Sequence, residues 1–266
     1  MIVAGSGRDI SNLQVPGLDC KRMSRAAPML GLVYLLGCSS PPSALLLYTR
    51  TTGFRHDSIV AGVAALRTLA AQDGIALHHT EDPAVFAAGR LRGYAAVVFL
   101  HTTGDMLDDA GVQALDGFVR AGGGFLGIHA AADALYGSST YREVIGALFL
   151  SHPALQTGIL VVEDDLNPAT RQLPARWQHA DEFYDFRSNP RGNVRVLLRV
   201  DETSYQGGGM GPDHPIAWCH SVGKGRAFYT ALGHPIESWS EPLFLEHVRG
   251  GLRIAAGVLP ANCSPN

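Results

Sequence analysis

Imidazole is the side chain best suited to moving protons or holding a metal near neutral pH, and this chain distributes its histidines unevenly. Thr49-Arg-Thr-Thr-Gly-Phe-Arg-His-Asp57 follows one short apolar run, and His101-Thr-Thr-Gly-Asp105 follows another. His129-Ala-Ala-Ala-Asp133 and Gly233-His-Pro235 follow two more. Four apolar runs that each empty into a histidine is more than 11 histidines in 266 residues should give by chance. His129 comes after Gly127-Ile128, at a turn of the kind that pushes a residue out over the sheet of an α/β enzyme. An acid, base or ligand role suits an imidazole there. His101, its neighbour Thr102, His152 in Phe149-Leu-Ser-His-Pro153 and His234 suit contacts to hydroxyl groups. Arg55 would hold an electronegative group. His56 precedes Asp57 and Ser58, which are expected to cap a helix start, itself an attractor of oxyanions. Asp133 adds a carboxyl group to the turn after His129. In Asp181-Glu182-Phe183-Tyr184-Asp185 acids stand beside aromatics, where a carboxyl group is expected to have a raised pKa and to act as a general acid or base. Phe183 and Tyr184 suit either stacking on a sugar ring or a place in the core.

These residues need strands and helices to bring them together. Leu45–Tyr48 is a continuous apolar run, the pattern of a strand buried on both faces, and Ile75–His78, Ala95–Leu100 and Gly124–Ile128 read as the second, third and fourth strands. Between them, Ser58–Ala71 and Asp109–Ala121 repeat apolar residues at helical spacing. This alternation predicts a parallel sheet with helices on both faces, and such sheets bind ligands at the carboxyl ends of their strands. The second half changes character. Thr157–Val162 and Val194–Val200 read as strands, Pro215–Ser221 and Arg226–Ala231 as a hairpin around Val222-Gly-Lys-Gly225, and Leu243–Ala256 as a closing helix. These strands extend the sheet or form an antiparallel annex.

Composition sets the remaining bounds. The length suits one domain of roughly 250 residues, and 46% hydrophobic against 17% charged residues predicts a packed core. A net charge of -3 offers no basic excess for a phosphate backbone, which argues against nucleic acid as a partner. Of Cys20, Cys38, Cys219 and Cys263, no pair has CxxC or zinc-finger spacing, so no disulfide framework is expected, and Cys219 reads as a buried, inert thiol. Residues 1–44 read as an export segment. Arg25 supplies a positive start, Met29–Leu36 a short apolar stretch, Leu35-Leu-Gly-Cys38 resembles a lipobox, and Ser39-Ser-Pro-Pro-Ser43 reads as a tether. Lipidation at Cys38 would anchor the protein to a membrane surface, with Met23 as a plausible start. Without that processing, the chain would be cytoplasmic.

The motifs together resemble the ThuA-like, trehalose-utilisation family over about Leu45–Gly257. They are Gly53-Phe-Arg-His-Asp-Ser-Ile59, Gly122-Gly-Gly-Phe-Leu-Gly-Ile-His-Ala130 with Asp133, Phe149-Leu-Ser-His-Pro153, Asp181-Glu-Phe-Tyr184, His214-Pro-Ile-Ala-Trp218 and Gly223–His234. The resemblance implies a flavodoxin-like fold akin to class I glutamine amidotransferases, with a ThuA-like domain over 45–259, and an association with disaccharides and 3-keto-sugars. The amidotransferase elbow cysteine would align with His129, so thiolate acyl transfer is excluded. The implied function is an enzyme acting on a disaccharide or 3-keto-sugar, as hydrolase, isomerase or lyase. His129 and Glu182 would be the acid/base pair, joined by His56 and Asp133. Arg55, His101, Thr102, His152, Tyr184 and His234 would contact substrate. The alternative is a non-catalytic carbohydrate-binding lipoprotein. His56, His129, His234 and Glu182 would also suit zinc or another divalent ion, but with no local HExxH pair this depends on convergence in space.

Overall fold

The computed structural model describes residues 44–266; the export segment, Cys38 and Met23 lie outside the described residues. The elements run β1 (Ala44–Tyr48), α1 (Ile59–Gln72), β2 (Ala76–Thr80), β3 (Tyr94–Leu100), α2 (Asp109–Arg120), β4 (Gly124–Ile128) and α3 (Ser139–Ile145). There follow β5 (Phe149–Ser151), β6 (Gln156–Val162), β7 (Arg176–Asp181), β8 (Asp185–Phe186), β9 (Arg195–Asp201), β10 (Pro215–Val222), β11 (Gly225–Thr230) and α4 (Pro242–Ala256).

Nine strands form one sheet in the order β2-β1-β3-β4-β11-β10-β9-β6-β7. From β2 to β11 neighbours are parallel, and from β11 to β7 they are antiparallel. The expected parallel core and antiparallel extension are therefore halves of one sheet. β5 and β8 pair separately. The chain leaves β1 toward β2 and returns on its other side to β3, so the strand order reverses at β1 and β3. Right-handed crossovers on either side of such a reversal put their helices on opposite faces. Accordingly α1 packs against α4, and α2 against α3.

The inner parallel strands β1, β3 and β4 are apolar because both faces are covered: β4, Gly-Phe-Leu-Gly-Ile, is buried at every position, whereas the edge strand β2, Ala-Leu-His-His-Thr, is buried at none. The first residue of β4 must be glycine, since a Cβ there would lie 1.8 Å from the Ala255 carbonyl oxygen of α4. β7 behaves otherwise. Arg176-Trp-Gln-His-Ala-Asp181 alternates exposed and buried, which is the period of a half-covered edge strand. Its inward set is Trp177, His179 and Asp181.

Two expectations are corrected here. Cys219 is not a free thiol: it is bonded to Cys263, 44 residues on, tying the C-terminal tail to β10. The apolar strand around Cys219 concealed that its partner lay in the tail. Ser58 does occupy the helix N-cap, but its side chain makes no capping bond; its hydroxyl faces His101 Nε2 at 3.3 Å instead.

Candidate active site

Four adjacent parallel strands, β1, β3, β4 and β11, each deliver one histidine from the carboxyl end. His101 and His129 are the first residues past β3 and β4, and both have left-handed backbone, at φ 52° and 51°. A non-glycine residue held in that region costs roughly 1–3 kcal/mol and marks a position where surrounding structure imposes the geometry. His56 arrives on the loop after β1. His234 follows Gly233, whose φ of 114° only glycine takes readily. That loop is pinned by a buried carboxylate on the inward face of β7: Asp181 accepts hydrogen bonds from the Gly233 and His234 backbone N–H groups at 2.7 and 3.1 Å. Asp181 is in turn bonded to His179 at 3.2 Å, and His179 to Glu241 at 2.8 Å.

The turn after β7 brings Glu182 beneath the histidines. One donor atom from each of His56, His129, Glu182 and His234 lies within 4.8 Å of the others. Glu182 Oε2 is 3.0 Å from His234 Nδ1 and 3.6 Å from both His129 Nε2 and His152 Nε2. His129 Nδ1 is 2.6 Å from the Ala231 carbonyl oxygen, an acceptor only, so Nδ1 carries a proton and donates it. Its Nε2 then faces the site, 2.8 Å from the Tyr184 hydroxyl. Burial raises the Tyr184 pKa well above its ordinary value, so the phenol keeps its proton and donates to Nε2.

Burial alone would push the Glu182 carboxyl up, as its setting among aromatics suggested. The imidazoles of His129 and His234 beside it outweigh burial and hold the group well below the usual carboxylate range. Glu182 is thus an anion: a base or a ligand, not the general acid that a raised pKa would have provided. His234 loses by burial but gains more from Glu182, and its pKa rises. His56 is pushed down to about 3, by burial first and by His129 and His234 second, so it is neutral.

A cavity of about 270 Å³ opens over this cluster, lined by Phe54, His56, Asp133, Phe149, His152, Glu182, Tyr184 and His234. His129 is fully buried behind its wall. Asp133 accepts a 2.5 Å bond from Tyr136. A larger apolar hollow of about 600 Å³ lies beside α2, among residues such as Phe86, Leu91 and Phe118, with no histidine or carboxylate in its wall.

His56, Asp133, His152, Glu182, Tyr184 and His234 therefore meet at one wall, with His129 directly behind. Three expected contacts do not reach it. Arg55 points away into an exposed ion pair with Glu81 at 2.8 Å. His101 is fully buried and stacks on His56 from behind, ring centroids 4.7 Å apart. Thr102 is fully buried and lines none of the cavity. Phe183 is core, so only Tyr184 of the aromatic pair faces the site. Unforeseen members are Phe54, an aromatic 66% exposed at the cavity mouth, and Asp181, which holds the His234 loop. The sequence signal for Phe54 was available, since an apolar residue beside a strand-end glycine has no core to enter.

A flavodoxin-like sheet whose site is built of imidazoles and a carboxylate, where amidotransferases place a thiolate, defines the class. The chain belongs to the ThuA family, described as trehalose utilisation, whose profile matches residues 44–255. No curated protein sequence matches it. Among solved structures it is similar to a ThuA-like protein from Bacteroides uniformis, with 24% identity over 84% of this chain and 95% of that one, and a TM-score of 0.68. A second ThuA-like protein, from Parabacteroides merdae, is 19% identical over 85% and 98%, with a TM-score of 0.64. A β-galactosidase from Rahnella sp. R3 shares the fold over 31% of its own length, at 15% identity over 82% of this chain and a TM-score of 0.53.

Proposed function

We propose that this protein is an enzyme acting on a disaccharide or 3-keto-sugar by acid/base chemistry in the cavity over Glu182. The observation that carries the reading is the convergence of His56, His129, His234 and Glu182 within 4.8 Å. In the reaction we envisage, Glu182 takes the proton from a ring carbon next to a carbonyl. The Tyr184 hydroxyl, held by His129, faces the same space and gives its proton to the carbonyl oxygen as charge develops there. The cavity volume falls just short of the ~300–1,000 Å³ typical of small-ligand sites, which suits one enclosed sugar ring. The second ring would rest at the mouth against Phe54, an apolar face of the kind sugars stack on. Family membership supports a carbohydrate as the substrate class.

We also infer that the protein is exported and anchored through Cys38. The Cys219–Cys263 disulfide supports this, because such bonds persist in oxidising compartments. Palmitate labelling of the full chain in a bacterial host, lost in Cys38→Ser, would bear this out; labelling unchanged by the substitution would refute it.

The test of the activity is a screen of disaccharides and their 3-keto counterparts against the wild-type protein and His129→Ala. Turnover of a sugar by the wild type alone, with sugar binding kept by the variant, is the expected result. Binding without turnover in both proteins would make this a carbohydrate-binding protein instead.

A further inference from the structure

We propose that the same cluster is a binding site for a divalent transition ion of the zinc class, held by His129, His234, Glu182 and His56. The inference rests on the reading above only for its location; the ion would bind whether or not the substrate is a sugar. The first argument is spacing. Zinc bonds to nitrogen and oxygen are ~2.0–2.2 Å, so two ligand atoms of a tetrahedral ion sit ~3.3–3.5 Å apart. Three donors already stand close to that. His129 Nε2 to His234 Nδ1 is 3.3 Å, His129 Nε2 to Glu182 Oε2 is 3.6 Å, and His234 Nδ1 to Glu182 Oε2 is 3.0 Å. The fourth donor, from His56, is within 4.8 Å of each.

The second argument is independent of spacing. His56 is only 6% exposed, yet its Nδ1 has no hydrogen-bond partner. A buried polar atom without a partner costs about 1–3 kcal/mol, and coordination by this ring would offset it. The third is how the ligands are braced. Metal-bound histidines present one nitrogen to the ion and donate from the other to a carbonyl or carboxylate. His129 is held this way by the Ala231 carbonyl, and Asp181 fixes the backbone of His234.

Occupancy would change the division of labour in the proposed reaction. His129 and Glu182 would become ligands, the ion would polarise the sugar carbonyl, and proton transfer would pass to His152 and Tyr184. These stand at the cavity wall outside the ligand set, together with Asp133.

The full chain, stripped with a chelator and dialysed, is titrated with Zn²⁺ by calorimetry and with Co²⁺ by visible absorption. We expect one ion per chain, d–d bands of a low-coordinate Co²⁺ site, and a rise in Tm on loading. His234→Ala and Glu182→Gln should each weaken binding by at least 100-fold, and far-ultraviolet circular dichroism checks their folding. His234 is partly exposed at the cavity wall, so its variant tests the site even if changes at buried His129 impair folding. No binding by the wild type, or binding unchanged in folded His234→Ala, overturns the proposal. The sugar screen run on stripped and loaded protein separates the two claims. Undiminished turnover by the stripped protein overturns the ion's part in the reaction and leaves the enzyme. An ion bound with no turnover of any sugar leaves the metal and overturns the enzyme.

Discussion

Two clusters of histidine and carboxylate sit on either side of Tyr184, and they differ in what each leaves unpaired. Above the phenol lie His56, His129, His234 and Glu182; beyond its backbone carbonyl lie His214, Glu202 and Asp185. By composition either set could hold a cation. In the second, however, both ring nitrogens of His214 are engaged, Nδ1 with Glu202 at 2.7 Å and Nε2 with the Tyr184 carbonyl oxygen at 2.9 Å. Asp185 accepts from Gly209 N–H at 3.0 Å, and Glu202 from Met210 N–H at 2.8 Å. A fully paired buried network specifies structure; one with a free lone pair beside a cavity is equipped for a ligand. His214 thus acts as a positioning residue, fixing the backbone from which Tyr184 reaches His129.

Substitutions at the two centres should separate accordingly. His129→Ala is expected to lower turnover on the substrate found in the screen by about 10²–10⁴-fold, the range of a lost acid/base group, with a smaller change in stability. His214→Ala should do the reverse. It leaves the partly buried Glu202 carboxylate with Met210 N–H but without its histidine, at a cost of about 1.5–3 kcal/mol, readable as a lower denaturant midpoint, with kcat per folded molecule within about tenfold of wild type. Equal loss of kcat in both variants would erase the distinction between the clusters.

A third polar group, His179 between Asp181 and Glu241, sharpens the contrast through pH. Burial lowers its pKa, but hydrogen bonds to Asp181 and Glu241 overcome this and raise it to about 9. Its folded-state pKa lies above the ordinary value of 6.5, so its contribution to stability is complete below pH ~6.5 and disappears as pH rises through about 9. Thermal melts across pH 6 to 10 should show this loss in the wild type and not in His179→Gln. The smallest effect is expected at the cavity mouth. Phe54→Ala removes an exposed ring, so Tm should hold while KM rises about 2- to 10-fold, matching an aromatic contact worth about 0.5–1.5 kcal/mol. An unchanged KM would place the sugar elsewhere.

The parallel half and its histidines were legible because buried strands are written as unbroken apolar runs, and whatever ends such a run must sit at a sheet edge. β7 was not, because its inward residues are Trp177, His179 and Asp181, so the alternation carries two polar residues where a pattern search expects apolar ones. Its function depends on Asp181 meeting Gly233 from 52 residues away, which no local spacing encodes. The ion pair of Arg55 was hidden for a related reason: its partner Glu81 arrives from the segment after β2. For Glu182 the burial was foreseeable, but the imidazoles that reverse its effect were not.

The backbone at His129 gives the site a mutational fingerprint. Replacing alanine by glycine in ordered structure usually destabilises by roughly 0.5–1 kcal/mol. At a φ of 51° the preference inverts, because a Cβ is what the local geometry resists. His129→Gly should therefore unfold at a higher temperature than His129→Ala, by about 1 kcal/mol of stability. An imidazole at this position therefore carries a backbone cost that glycine would not, offset only through what its ring bonds.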